Sequence, residues 1–325
     1  MLEFKEDQIK MVLSIAKNVR HKYSDLLYQA NLAERARILA HQRRYAEKLF
    51  ASTDCDVDEL DKIRAWTQTE IRQFLQKQKA AVLKRSSSVK DTLHYSIDSQ
   101  RKARECLVSL RKETLPSDIN FNFVVLDTPL FIIPSQDINL APPSKAPWNN
   151  VAKINAGWST PYPDNGFDDL SFVFVWENPS DRNIVVNVAS YLMLNGFCDV
   201  LAEAGASDIF SPHSSALGFT VELGVLEYWN NPPTSPSGQV GQFASVLGLN
   251  ADGGGIFGFG DYESSGVSGI YDVTYGMFQI PPKGVTVFVV RLLIGHYTNG
   301  GFIEVDFASG DFEVMCPALV IAILT

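Results

Sequence analysis

The spacing of apolar residues divides the chain into two unlike parts that meet near Pro116. Before that residue, apolar side chains recur mostly three and four positions apart, and neither Pro nor Gly occurs from Glu3 to Leu115. This pattern is typical of long amphipathic helices. The segment Ser52–Glu59 is rich in Ser, Thr and Asp, which favour the first turn of a new helix. The first part is therefore predicted to form two long helices.

Each predicted helix carries a single apolar stripe. One stripe suffices for a two-helix hairpin or a coiled coil, but a lone pair of long helices buries little surface. The helices are therefore expected to self-associate or to dock onto another surface, and a compact bundle within one chain is the alternative. The stripe residues are Ile9, Val12, Leu13, Ala16, Val19, Leu26, Leu27, Leu32, Ala33, Ala36, Leu39 and Ala40, then Leu60, Ile63, Ile71, Leu75, Val82, Val89, Leu93, Leu107 and Leu110.

After Pro116 the pattern alternates with a period of two and is rich in Val, Ile, Phe and Tyr, with turn signals such as Asn195-Gly196 between the runs. This is the signature of strands without intervening helices, and it predicts a jelly-roll-like sandwich of two sheets. The whole chain is thus predicted to be a segregated α+β protein, with a long antiparallel helical hairpin or coiled coil followed by an all-β sandwich. The predicted strands are 119–126, 170–176, 184–194, 217–229, 243–249, 266–278, 285–294, 302–307 and 312–323.

The stretch from Thr128 to Gly166 departs from both patterns because it contains seven prolines. Proline donates no hydrogen bond to a strand ladder, so this stretch is predicted to be an extended arm or a long ordered loop. The predicted domains are therefore a helical hairpin over residues 1–115, a first strand and arm over 116–169, and a β-sandwich over 170–325.

Charge is distributed as unevenly as the apolar pattern. Residues 1–115 hold 23 of the 28 basic and 16 of the 37 acidic side chains, a net charge of +7, whereas residues 116–325 carry a net charge of −16. Nucleic-acid binding needs clustered Lys and Arg, which the acidic part lacks, and the charges of the helical part are mixed along the chain. No nucleic-acid partner is predicted. The two parts are instead expected to attract each other, within one chain or between subunits.

The ends of the chain and its cysteines bear on where the protein is made. The first ten residues lack the apolar core of a signal peptide, and the apolar run 318–324 is too short to span a bilayer. Cys55, Cys106, Cys198 and Cys316 lie far apart, which argues against a zinc site and a disulfide framework. We therefore expect cytoplasmic synthesis without a Sec signal, and release by a non-classical route is left open.

Aromatic residues beside Asn form one group of candidate contacts. Such clusters on β-sandwiches suit a glycan or a protein receptor, because an aromatic ring offers apolar area and Asn offers hydrogen bonds. The alternative is that these rings anchor the core at the rim of the sandwich. The candidate binding residues are Trp148, Trp158, Tyr228, Trp229 and Asn230.

The segment Gly253–Gly260 combines glycine with apolar side chains. It satisfies the spacing GxGxxG, but more strand pattern follows instead of the helix that a dinucleotide site requires, so no cofactor is predicted. The segment is predicted to be a hairpin tip. Ile256, Phe257 and Phe259 are its candidate residues for contact with a membrane or for assembly.

Acidic side chains gather in the loop that precedes the strand predicted at 170–176. Asp164, Asp168 and Asp169 stand near Asn165, and oxygen-rich loops of this kind can hold calcium. Turn formation also selects Asp, Asn and Gly, which is the alternative interpretation.

No motif in the sequence identifies a reaction, and no catalytic residue is predicted. The first hypothesis is a non-enzymatic structural or binding protein, homo-oligomeric, with the helical half for self-assembly or docking and the sandwich for recognition. The second is a pore-forming or membrane-active toxin whose sandwich binds a receptor. The third is a hydrolase acting on carbohydrate.

Overall fold

The computed structural model describes residues 57–114, 122–141, 149–203, 206–208, 211–228, 237–253 and 260–324, and within these residues it has one long helix and fifteen strands. The helix, α1, spans Val57–Thr114. The strands β1 to β15 span, in chain order, Asn122–Leu126, Phe131–Pro134, Asn139–Ala141, Val151–Thr160, Asp164–Glu177, Ile184–Ala202, Ala206–Asp208, Ser211–Pro212, Ser214–Tyr228, Ser237–Asp252, Asp261–Ile280, Val285–Asn299, Gly301–Asp306, Glu313–Met315 and Leu319–Leu324.

The strands form two main antiparallel sheets with the core between them. Sheet A follows the order β1-β15-β6-β13-β4-β14, with β11 paired along nearly all of β6 and β3 paired to β4. Sheet B follows the order β10-β9-β12-β5-β2, and β7 and β8 form a short ladder of their own. The arrangement is a β-sandwich that is predominantly antiparallel, with one helix added on the outside.

Strand β12 shows how the period-two pattern builds the core. Its residues alternate between buried and partly buried positions, and Phe288, Val290, Leu292 and Ile294 on the inner face are fully buried. Successive side chains of a strand point to opposite faces of the sheet, so one alternating set faces the core. The same core cluster encloses the Cys316 thiol, and burial raises the pKa of that thiol to about 12.

Helix α1 packs on β6 and β11, on the outer face of sheet A. The spacing of four between Ile71 and Leu75, and again along Val89, Leu93 and Ile97, places these side chains on one side of the helix. Two apolar clusters join the helix to the sheet. The first contains Ile71, Leu75, Leu201 and Tyr262, and the second contains Val89, Leu93, Ile97, Tyr191 and Met193.

Ion pairs join α1 to sheet A between and beside the two clusters. Lys79 pairs with Glu304 and, at 2.6 Å, with Asp306, both on β13. Lys90 pairs with Glu313 of β14 at 2.7 Å. Basic side chains of the positive part of the chain thus contact acidic side chains of the negative part, within one chain, as the charge distribution led us to expect.

Docking of the helix leaves β6 buried on both faces. Every residue of β6 from Ser190 to Ala202 is buried, because the core covers one face and α1 covers the other. The predicted turn at Asn195-Gly196 is wrong, since both residues lie inside β6. Asn195 donates from Nδ2 to the backbone oxygen of Ser86 in α1 at 3.1 Å, and Gly196 leaves room for the ring of Phe307. These tertiary contacts outweigh the local turn preference.

The predicted long helical hairpin or coiled coil is wrong. The structure describes a single helix, and its apolar stripe packs on sheet A instead of on a second helix. The partner helix predicted within residues 1–50 lies outside the described residues, as does Pro116. The domain boundaries therefore stay predictions. Residues 122–141 and 149–169, which fall in the predicted arm, contribute β1 to β4 and the first part of β5.

Replacing Leu93 by Ala tests how strongly the second cluster holds the helix. Leu93 is 2% exposed, and truncation of a buried leucine is expected to lower the free energy of unfolding by about 2–4 kcal/mol. Tyr95→Ala is the matched control, because Tyr95 is 71% exposed on the same helix and its loss is expected to change stability by under about 0.5 kcal/mol. Denaturant unfolding followed by the helical circular dichroism signal measures both. Equal effects of the two substitutions would contradict the docked position of α1.

Candidate functional site

The outer face of sheet B, opposite the side that α1 covers, is predominantly apolar. Cross-strand pairs place its side chains next to one another: Phe131 lies opposite Val173, and Val173 lies opposite Val289. Val175 and Val287 form the next pair along the same strands. We call this surface the sheet B face, and we define it by Phe131, Ile133, Ser171, Val173, Val175, Glu222, Gly224, Phe243, Val287, Val289 and Arg291.

The largest side chains of the sheet B face are open to solvent. Phe243 is 72% exposed, Phe131 is 52% exposed and Ile133 is 50% exposed. Isolated exposed apolar residues are ordinary on protein surfaces, but a contiguous apolar patch usually marks a contact with another molecule. The sheet B face is such a patch, because its members are neighbours across four adjacent pairings from β2 to β10.

An ion pair lies at one end of this apolar surface, in the same cross-strand row as Ile133 and Phe243. Arg291 of β12 contacts the carboxylate of Glu222, directly across on β9, and its guanidinium passes over Gly224, where a Cβ atom would lie 3.6 Å from a terminal nitrogen. Glu222 is 8% exposed, so this carboxylate is nearly buried beneath the arginine. The Nε atom of Arg291 has no hydrogen-bond partner among the described residues. This nitrogen atom is itself buried.

The residues of the sheet B face were not among the predicted contact residues, although the sequence carries a signal for them. The run Val285–Val290 carries valine in both alternating sets, and Phe131-Ile132-Ile133 is apolar without interruption. Continuous apolar runs are typical of strands that have both faces covered. In β12 and β2, one alternating set of side chains builds the core and the other alternating set lies on the surface of the sandwich. The uninterrupted apolar run thus indicated that another molecule or segment contacts the outer face.

Two residues that the sequence analysis assigned to different sites meet at the end of the sandwich. Trp158, a candidate for binding, stacks on His296 with ring centroids 4.3 Å apart. Asp168, a candidate calcium ligand, lies 3.2 Å from His296 Nε2 and accepts a hydrogen bond from Ser135 Oγ at 2.6 Å. Trp158 is 7% exposed, so its side chain lies in the interior. His296 was not anticipated, because it is far from both in sequence.

The other acidic residues of the predicted calcium loop have different surroundings. Asp164 is exposed at the start of β5, whereas Asp169 accepts a hydrogen bond from Ser171 Oγ at 2.5 Å. Among the residues that the structure describes, no group of three or more His, Cys, Asp and Glu side chains is arranged to hold a metal ion. The calcium site stays a prediction, and the Tm measured with and without calcium is its direct test.

The remaining predicted contact residues lie largely outside the described part. Trp148, Trp229 and Asn230 are not described, and of Tyr228 only the backbone is described, as the last residue of β9. Ile256, Phe257 and Phe259, the residues of the predicted membrane or assembly tip, also lie outside the described residues. Of the helical residues that the structure does describe, no stretch has both the length and the apolar character needed to cross a bilayer. The described residues give no support to the toxin hypothesis.

Comparison with known proteins adds little. No protein-family model matches the chain, and no curated protein matches it. Among solved structures, the enzymatically active domain of tailspike protein 4 of bacteriophage CBA120 shares 8% identity over 61% of this chain, with a TM-score of 0.19, and this chain spans 19% of it. A structure of infectious bursal disease virus, Gx strain, shares 9% identity over 65% of this chain and 57% of its own, with a TM-score of 0.15. At these TM-scores neither likeness carries an argument about fold or function.

Asp168 is expected to stabilise the fold, and Asp164 provides a matched control. Asp168→Ala removes the acceptor for Ser135 and the partner of a buried histidine, so we expect it to lower the free energy of unfolding by about 2–4 kcal/mol. Asp164→Ala is expected to change it by under about 0.5 kcal/mol, because that side chain is exposed. Denaturant titration of the two variants gives both values. A larger loss at Asp164 would contradict this assignment.

Proposed function

We propose that this chain is a non-enzymatic assembly protein that associates with a second copy of itself through the sheet B face. The observation that carries the proposal is the contrast between the two outer faces of the sandwich. The apolar outer face of sheet A is covered by α1, whereas the apolar outer face of sheet B, with Phe131, Ile133 and Phe243, is open.

The charges of the sheet B face favour a second copy as the partner. Arg291 and Glu222 face each other across β12 and β9, so two copies whose two-fold axis passes close to this pair would bring each arginine near the partner's glutamate. A surface that is apolar, aromatic and arginine-bearing, with few other charges, has the composition of an interface core.

The size of the face sets the scale of the contact. Its residues occupy about five positions along five neighbouring strands, from Val287 to Arg291 in β12. At about 4.8 Å between strands and about 3.3 Å per residue, they cover on the order of 400 Å². One partner in a standard stable interface contributes about 800 Å², so this face would form the apolar centre of a dimer interface, with neighbouring residues as its rim.

The acidic residues of the sandwich support a non-enzymatic role over a carbohydrate hydrolase. Glycoside hydrolysis needs two carboxyl groups that face a substrate in an accessible cleft. Asp199, Glu304 and Asp306 do lie together, but they lie against α1 and Lys79 at the covered face of sheet A. Asp168 is engaged by Ser135 and His296.

Polar substitutions on the sheet B face test the proposal. The triple variant Phe131→Thr, Ile133→Thr and Phe243→Thr removes the apolar contact, and the β-branched threonine is compatible with a strand at each position. We expect the wild-type chain to sediment as a dimer or larger species, and the variant to dissociate at least tenfold more readily. Sedimentation velocity over a concentration series measures both.

Tyr95→Gln, on the exposed side of α1, is the control and should leave the association unchanged. A wild-type chain that remains monomeric at every concentration would overturn the proposal. If the triple variant instead makes residues 1–56 newly sensitive to protease without a change in mass, the occupant of the face is that segment of the same chain, and a second copy is excluded.

A further inference from the structure

A buried carboxylate lies beneath the middle of α1. Asp199 belongs to the set of β6 residues that faces the helix, together with Met193 and Leu201, and it is 3% exposed. Its Oδ1 atom has no hydrogen-bond partner in the part of the chain that the structure describes. A buried ionised carboxylate without full hydrogen bonding is costly, so the charge state of Asp199 bears on how well the helix fits.

The groups around Asp199 make an acidic cluster with one cation in contact. Glu304 is its direct neighbour on β13, Asp306 is two residues further along, and Lys79 of α1 pairs with both. The residue across from Asp199 on β11 is Ser264, which carries a hydroxyl group. Burial and then Glu304 raise the pKa of Asp199 to about 7, and Lys79 lowers it only in part. The lysine is thus shared among more acid groups than it can neutralise.

Helix docking is consequently linked to proton binding at Asp199. Docking of the helix contributes to the burial that raises the pKa of Asp199 to about 7, and with the helix away the carboxyl regains water, so its pKa falls toward the ordinary value of 3.8. Between these values the docked state holds a proton that the undocked state has released, so docking weakens as the pH rises and levels off above about pH 7. Burial alone would raise the pKa of Asp306, but hydrogen bonds from Lys79, Ser309 and Ala308 lower it. Asp306 therefore keeps its negative charge, and its ion pair with Lys79, until the pH falls through this lowered pKa.

A second group of charged side chains lies further along the same interface. His94 of α1 lies 2.7 Å from the carboxylate of Glu313, which is 2% exposed at its side chain and also pairs with Lys90. These contacts join α1 to β14, whereas Asp199 lies on β6 beside Glu304 of β13.

We propose that α1 is a proton-controlled cover, which closes firmly on the outer face of sheet A in mild acid and loosens toward alkaline pH. Loosening uncovers the apolar side chains beneath the helix, among them Tyr191, Met193 and Leu201. A second apolar surface of the sandwich thereby becomes available under control of pH. This device rests on the contacts between α1 and sheet A alone, and it holds whether or not the sheet B face binds a second copy.

Hydrogen exchange of the full chain tests the cover. The amides of residues 71–97 are followed by mass spectrometry at pH 5 and pH 8, and each rate is divided by the intrinsic exchange rate at that pH. Between the two values we expect the protection of the helix to fall by up to about 100-fold, as the shifted titration of Asp199 requires. The amides of β12, in the core, should keep their protection at both pH values.

Two variants locate the effect. Asp199→Asn stays neutral at every pH, so it should keep the helix protected at pH 8. Asp181→Asn is the matched control, because the Asp181 side chain is 91% exposed far from α1, and it should retain the wild-type dependence.

The outcomes separate the alternatives. Equal helix protection in the wild type at pH 5 and pH 8, or an unchanged pH dependence in Asp199→Asn, would overturn the proposal. If Asp199→Asn also loses the protection of β12, it has failed to fold, and Glu304→Gln takes its place. That variant removes the neighbouring charge that raises the pKa of Asp199, so it should show a several-fold smaller loss between the two pH values, and an undiminished loss would likewise overturn the proposal.

Discussion

The burial of β6 on both faces is the constraint on which the rest of the molecule depends. One set of its side chains, including Leu192 and Leu194, belongs to the core between the sheets, and the other set, including Met193 and Leu201, needs a second cover. Helix α1 supplies that cover. The helix in turn has a stripe of apolar residues that would be exposed without the sheet, so each part stabilises the other.

This mutual dependence leaves the two outer faces of the sandwich unequal. Sheet A is closed by a segment of its own chain, whereas the valines and phenylalanines of the sheet B face remain open. A strand whose two faces are both apolar is costly in water unless both faces are covered. Association of two copies through sheet B would cover this outer face, as α1 covers the outer face of sheet A.

The sequence predicted the strands well where period-two alternation was regular, as in β12, because alternation reports directly on one buried face. It was less informative about β6, where Asn195-Gly196 resembles a turn, because the contacts of these residues with Ser86 and Phe307 come from distant parts of the chain. The stripe of α1 was recognised, but a stripe does not specify whether a helix or a sheet will cover it. The meeting of Trp158, Asp168 and His296 depends on strand pairing across two sheets, which no local pattern encodes.

The charged centre of the helix interface has a physical role that apolar packing could not fill. The two apolar clusters of α1 repeat at intervals of four residues, so a shift of the helix by one turn would still place apolar side chains on apolar side chains. Such a shift would separate Lys79 from Asp306 and Lys90 from Glu313, and it would leave buried carboxylates without a cation. Breaking a buried ion pair costs more than forming it gains. The ion pairs therefore fix the register of the helix on the sheet, while the apolar clusters supply most of the attraction.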